Sequence, residues 1–251
     1  MSINYVFERI EKKYLLTKTD YQILFDALLS HIEPDQYFSS TVCSLYLDTP
    51  DKLIIRNSID ADNYKEKIRL RSYGPAKDDT TVFLELKKKL NGIVYKRRVS
   101  MSLKDAELYI DKGIMPFHSQ IISEIDYAMR YYHNPKPKMF IACEREAWIS
   151  TNDPGLRFTF DKSIRYRSTN LSLGLGSNGF ELIPEYYALM EIKIPGSMPL
   201  WLTHILCDLN IYPVSFSKYG TAYKLTNMKF EEIQSNLCKN SKGVLKNVIN
   251  F

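Results

Sequence analysis

Three cations in the stretch KEKIRLRSYG, Lys67, Arg69 and Arg71, fall on every second residue, with Ile68 and Leu70 between them. Alternate side chains of a β-strand point to opposite faces, so this spacing gathers the cations on one face and the aliphatic groups on the other. The same parity recurs along the chain. Arg9, Glu11 and Lys13 share a face in RIEKKYLL, Glu85 and Lys87 in VFLELKKKL, and Lys96 and Arg98 in the segment after it. Arg157, Thr159 and Asp161 do so in RFTFD, and Glu191 and Lys193 in LMEIKI. Six strand segments thus set ten basic groups against four acidic ones on their charged faces. Cross-strand ion pairing on a wet face would use up the carboxylates and leave most of the cations over. Buried without a counter-charge, such cations are costly, so a sheet curled around them needs a polyanion inside. A linear phosphate chain fits, because Arg grips phosphate oxygens bidentately, and the few carboxylates would then hold a divalent ion on those oxygens.

The elements needed to position these faces are legible in outline. A strand-like segment spans 5–16. A helix follows, with Thr19 and Gln22 as a capping box and an apolar stripe of Tyr21, Leu24, Phe25, Leu28, Leu29 and Ile32. A strand over 41–50 ends in the turn Asp48-Thr49-Pro50, where Asp48 reads as a turn-capping residue. Two strands flank Asn91-Gly92, a hairpin signal. Between Ser102 and His133 the pattern predicts two helices, the first capped by Ser102 and stopped by Gly113. Strands follow over 139–150 and 156–167, then a Gly-rich loop at 173–179 and the strand YALMEIKIPG. Pro199 opens a helix, and a further element begins near Ser217. No repeat or linker divides the chain, so a single domain is expected over 1–228, with 229–251 as its helical or loose tail.

Composition narrows the class. Among 251 residues there are 18 Tyr and 12 Phe but only 10 Gly, which favours a strand-rich α+β fold. The net charge of +5 is too small to imply nucleic acid, and the basic groups lack interleaved aromatics. Cys43, Cys143, Cys207 and Cys238 show no CxxC spacing and read as reduced thiols of a cytoplasmic protein. No apolar run approaches the roughly 20 residues that cross a bilayer, so membrane association would need a membrane-protein partner. There is no GxxxxGK[ST] loop, no GxGxxG, and no Ser/His/Asp or Cys/His arrangement among the motifs.

In order, RIEKKYLL, SLYLDTPD, KIRLRSYG, FLELKKK with KRR, FTFD, MEIKIPGSMPLWL and SFSKYGTAY resemble the motifs of the VTC domain, from about residue 5 to 225. This is the polyphosphate polymerase branch of the triphosphate tunnel metalloenzyme, or CYTH-like, superfamily. The resemblance implies a closed antiparallel β tunnel of about eight strands with helices packed outside. It implies ATP and polyphosphate as substrates, a divalent metal (Mn²⁺ or Mg²⁺), and transfer of the γ-phosphate of ATP to a growing polyphosphate chain. Carried over residue by residue, it assigns phosphate contacts to Lys13, Lys67, Arg69, Arg71, Lys87, Lys96, Arg98, Arg157, Lys193 and Lys218. Glu191 becomes the main metal ligand and Glu11 its helper. The superfamily's ExExK signature reads Arg9-x-Glu11-x-Lys13 here, which suits the polymerase branch and counts against two-metal hydrolysis. Glu85 stays open between a second metal ligand and a partner that orients Lys87. A tripolyphosphate or nucleoside triphosphate hydrolase, and a non-catalytic polyphosphate or inositol-phosphate sensor, remain the alternatives.

Overall fold

A computed structural model describes residues 9–61, 63–91 and 93–228; the expected tail at 229–251 lies outside them. In chain order the elements are β1 (Arg9–Thr17), α1 (Lys18–Leu28), β2 (Ile32–Asp48), α2 (Leu53–Asp60), β3 (Tyr64–Tyr73), β4 (Thr81–Leu90), β5 (Ile93–Ser102), α3 (Leu103–Lys112), α4 (Gln120–Tyr131), β6 (Lys136–Ser150), β7 (Arg157–Arg167), β8 (Phe180–Glu181), β9 (Tyr187–Pro195), α5 (Leu200–Asp208) and α6 (Lys218–Asn227). The nine strands form one antiparallel sheet in the order β1-β9-β7-β6-β2-β3-β4-β5, with β8 on β7. β4 and β5 pair as the expected hairpin, with Leu90 opposite Ile93, and Gly92 of its expected turn lies outside the described residues.

Strand parity sorts the sheet into two faces. On the outer face Leu45, Ile68, Leu70, Leu84, Leu86 and Phe140 pack with α3 and α4 into one core. Phe158, Phe160, Met190, Ile192 and Ile194 pack with α1 and α5 into a second. These helices bury their apolar stripes on the strand residues that alternate with the charged ones, as the sequence pattern requires. Ser102 caps α3 through Asp105 N, and Gly113 ends it at φ 71, the left-handed conformation a glycine adopts without steric cost.

The structure departs from the expected tunnel in three ways. First, the sheet is not closed: among the described residues no backbone ladder joins β1 to β5. The edge of β1 is met instead by the segment before α6, where Val214 N donates to Lys13 O at 2.7 Å. Side chains reach across as well, with Lys87 Nζ on β4 donating to the Glu11 carboxylate on β1 at 3.1 Å. Second, not every helix lies outside. α2 and α6 pack on the inner face, where Ile55, Tyr219 and Ala222 join Val42, Tyr46, Ile141 and Leu189 in a third core. That is why Val42 to Asp48 is buried on both faces. Third, the capping box of α1 is Thr17 with Asp20 rather than Thr19 with Gln22, because β1 runs straight into the helix. Leu29, expected in its stripe, is 51% exposed.

Candidate functional site

The charged half of the inner face lines a cavity of about 930 Å³, whose wall carries thirteen basic side chains and two acidic ones. β3 contributes Lys65, Lys67, Arg69 and Arg71, and β4 contributes Lys87 and Lys89. Lys96 comes from β5, Arg145 from β6, Glu191 and Lys193 from β9, and Glu11 and Lys13 from β1. α6 begins inside the cavity: Ser217 caps it, accepting from Gly220 N at 3.0 Å, while Lys67 Nζ donates to the same hydroxyl at 2.8 Å. Lys218, the next residue, also faces inward.

The register explains how these groups meet. Lys67 lies opposite Lys87, and Lys87 opposite Lys96, so three ammonium groups form one row across β3, β4 and β5. Arg69, Glu85 and Arg98 make the adjacent row. On the far wall Glu11 faces Lys193 and Lys13 faces Glu191, a square of alternating charge.

Four carboxylates share this face and have different surroundings. Glu85 is buried and saturated, with Arg69 Nε at 2.6 Å, Lys96 Nζ at 2.6 Å, Arg98 Nε at 3.2 Å and Arg71 Nε at 3.9 Å. Burial would raise its pKa, but Arg69, Arg71 and Lys96 hold it far below the usual carboxylate range. Asp161 is fully buried. It accepts a fork from Arg145, Nε at 2.6 Å and Nη2 at 2.7 Å, and a further bond from Lys218 Nζ. Its pKa is likewise depressed, with burial opposed by Arg145 and Lys218. Neither carboxylate lines the cavity; they fix the cations that do. Glu11 accepts from Lys87 and lies 3.4 Å from Lys13 Nζ. Glu191 makes a single ion pair among the described residues, at 3.8 Å from Lys193 Nζ. It stays ionised all the same: burial acts to raise its pKa, and Lys13, Lys193, Arg145 and Lys87 pull it far down.

These few carboxylates do not balance the cations of the wall. Burial, then the neighbouring Lys13 and Lys87, pushes the Lys67 pKa well below its ordinary value. Burial pulls Lys96 down to about 8 even though Glu85 opposes the shift. An anion with several oxygens would relieve both.

Of the residues assigned from the sequence, Lys13, Lys67, Arg69, Arg71, Lys87, Lys96, Lys193, Lys218, Glu11 and Glu191 all line the cavity. Arg157 and Arg98 do not. Arg157 lies opposite Lys193 in register, but its guanidinium is drawn to Asp35 of β2. Arg98 stacks over the Phe83 ring with its guanidinium carbon 3.6 Å from the ring centre. Arg145, Lys12 and Lys224 also line the cavity without belonging to that set, as does the pair Lys65 and Lys89. Strand parity with Lys67 and Lys87 would have found that pair.

An α+β fold whose antiparallel sheet turns its basic face to a cavity of about 930 Å³ is that of the triphosphate tunnel, or CYTH-like, superfamily. Within it, the chain belongs to the VTC domain family, whose profile matches residues 8–227. Among solved structures, a Bacillus halodurans protein with a provisional assignment as an adenylate cyclase shares the fold. It has 15% identity and a TM-score of 0.52, over 84% of this chain and 95% of that one. The Mimivirus capping enzyme triphosphatase is more distant, at 9% identity and a TM-score of 0.37 over 81% of this chain and 89% of that one. No curated protein matches the sequence.

Proposed function

We propose that this VTC domain is a metal-dependent polyphosphate polymerase that transfers the γ-phosphate of ATP to a growing polyphosphate chain. The observation that carries the reading is the cavity wall itself, with thirteen basic side chains against two carboxylates. A linear polyphosphate supplies about one negative charge per phosphate and matches that excess along its length.

Two ionised carboxylates beside phosphate oxygens suit Mg²⁺ or Mn²⁺, which are held by one or two carboxylates together with substrate phosphates. Glu191 and Glu11 fit this donor set. Both face the cavity, they lie close enough for each to oppose ionisation of the other, and Glu191 has no cation nearer than 3.8 Å among the described residues. Among those residues no group of three or more His, Cys, Asp or Glu is placed to hold a metal, so phosphate oxygens and water would complete the coordination. Bound there, the ion would neutralise charge developing on the phosphate oxygens.

The protein's own groups bind, orient and neutralise. Arg69 and Arg145, fixed by Glu85 and Asp161, offer preorganised donors to the transferring phosphoryl group. Lys67, Lys87 and Lys96 form a band of point charges along the chain's path. A terminal oxygen of the acceptor chain attacks the γ-phosphorus, the bond to the β-bridging oxygen breaks, and ADP departs. The attacking oxygen is already ionised at neutral pH, so no general base is needed. The test is incubation of purified protein with ATP and Mn²⁺ or Mg²⁺. Polyphosphate and ADP are expected in step; release of free phosphate without chains would make the protein a hydrolase, and no turnover a sensor.

A further inference from the structure

We propose that Tyr73, braced by Phe83 and Arg98 just outside the cavity beyond the arginine row, is a nucleobase platform that gives the triphosphate site a preference for nucleotides. The proposal rests on the reading of the cavity as a triphosphate site and names what binds next to it.

Tyr73 follows Lys67, Arg69 and Arg71 on the same face of β3, and Phe83 precedes Glu85 and Lys87 on that face of β4. The two rings meet edge to face with centres 5.8 Å apart. Arg98 lies over Phe83 and donates to the Tyr73 hydroxyl at 3.3 Å. The cluster is joined to the phosphate wall through Glu85, which holds Arg98 and Arg69 together. Tyr73 is nevertheless 49% exposed, an open ring at the edge of a cationic face.

Ring faces carry negative electrostatic potential and repel phosphate oxygens. Rings in line with a phosphate track therefore mark where the ligand stops being an anion and presents a π-face. Inside the cavity the wall offers two rings, Tyr46 and Phe216, and both are buried. At the opposite end the inward row is Lys65, Lys89 and Val94, which suits a continuing polyanion and gives a base nothing to stack on. Tyr73 lies four residues beyond Arg69, about 13 Å along the strand, within reach of a nucleoside whose phosphates rest on Arg69 and Arg71.

The test is calorimetric titration of wild-type protein, Tyr73→Ala, Phe83→Leu and Tyr73→Phe with ATP and with methyl triphosphate, which has the same charge and no base. Base stacking on an aromatic ring predicts that Tyr73→Ala and Phe83→Leu weaken ATP about tenfold while methyl triphosphate binds as before. Tyr73→Phe should keep ATP affinity, because the ring is retained. Equal weakening of both ligands would make the rings mere supports of Arg98 and overturn the proposal, as would unchanged ATP affinity in the Ala and Leu variants. If the wild-type protein binds neither ligand, the triphosphate reading itself falls and takes the platform with it.

Discussion

Glu85 and Glu191 are both glutamates on the cationic face of one sheet, yet they stand in opposite conditions. Glu85 is 1% exposed and has four cations within 3.9 Å. Glu191 lines the cavity and among the described residues has one, at 3.8 Å. A carboxylate neutralised by four cations acts as an anchor for arginines. One left with a distant lysine can still take a metal. Position on a charged face therefore does not by itself make a metal ligand; the number of neighbours already satisfied decides. Of the two roles open for Glu85, the structure supports the orienting one, and its partners are Arg69, Lys96 and Arg98 rather than Lys87.

The comparison can be broken by mutation. Glu85→Gln removes the shared partner of three close cations in a buried cluster, for which the expected loss is about 3–5 kcal/mol of stability. A thermal melt or urea titration measures it; a variant as stable as wild type would show that Glu85 anchors nothing. A smaller and sharper contrast lies in the arginines. Arg69→Ala strips Glu85 of its 2.6 Å partner and should cost about 1–3 kcal/mol. Arg71 lies 3.9 Å away and its pKa is lowered by burial and by Arg69. Arg71→Ala should leave the melting temperature unchanged or raised, while both variants lose triphosphate affinity. Equal destabilisation by the two would erase the distinction.

The smallest expected effect is in pH. In the folded protein the Lys96 pKa lies at about 8, below its ordinary 10.5. Its deprotonation therefore favours the fold: that contribution is full above 10.5 and is lost as pH falls through about 8. A bound polyanion reverses the preference, so triphosphate should take up protons on binding near pH 8 and bind more weakly above it. Calorimetry in buffers of different ionisation enthalpy reads the uptake directly; zero uptake would remove Lys96 from the phosphate path.

Much of this site is legible in the sequence, and the exceptions have physical causes. The parity of Lys67, Arg69 and Arg71, and of Glu191 and Lys193, survives intact because β3 and β9 pair without register shifts. Arg145 is hidden because Glu144, Arg145 and Glu146 are consecutive charges, and the pairing of β6 with β7 shifts register between Ala142 and Glu144. α2 carries no local start signal: Lys52 before it sits at φ 59 without a side-chain cap. Its first amide, Leu53 N, donates to Thr49 Oγ1 at 2.8 Å, and the next two to Asp48, which accepts from Ile54 N at 2.9 Å and Ile55 N at 3.0 Å. Asp48 thus caps a helix as well as its turn, and it also accepts from Tyr219 of α6 at 2.9 Å. The open seam between β1 and β5, and the chain segment lying along it, depend on contacts about two hundred residues apart, such as Lys13 Nζ on Phe216 O at 3.0 Å. No local pattern announces such a contact.

The most direct measurement is Mn²⁺ binding, followed by electron paramagnetic resonance, to wild-type protein, Glu191→Gln and Glu85→Gln in the presence of tripolyphosphate. Glu191→Gln should weaken the metal about tenfold or more while tripolyphosphate still binds, and Glu85→Gln should retain the metal in whatever remains folded. Full metal affinity in Glu191→Gln, or its loss in folded Glu85→Gln, would contradict it.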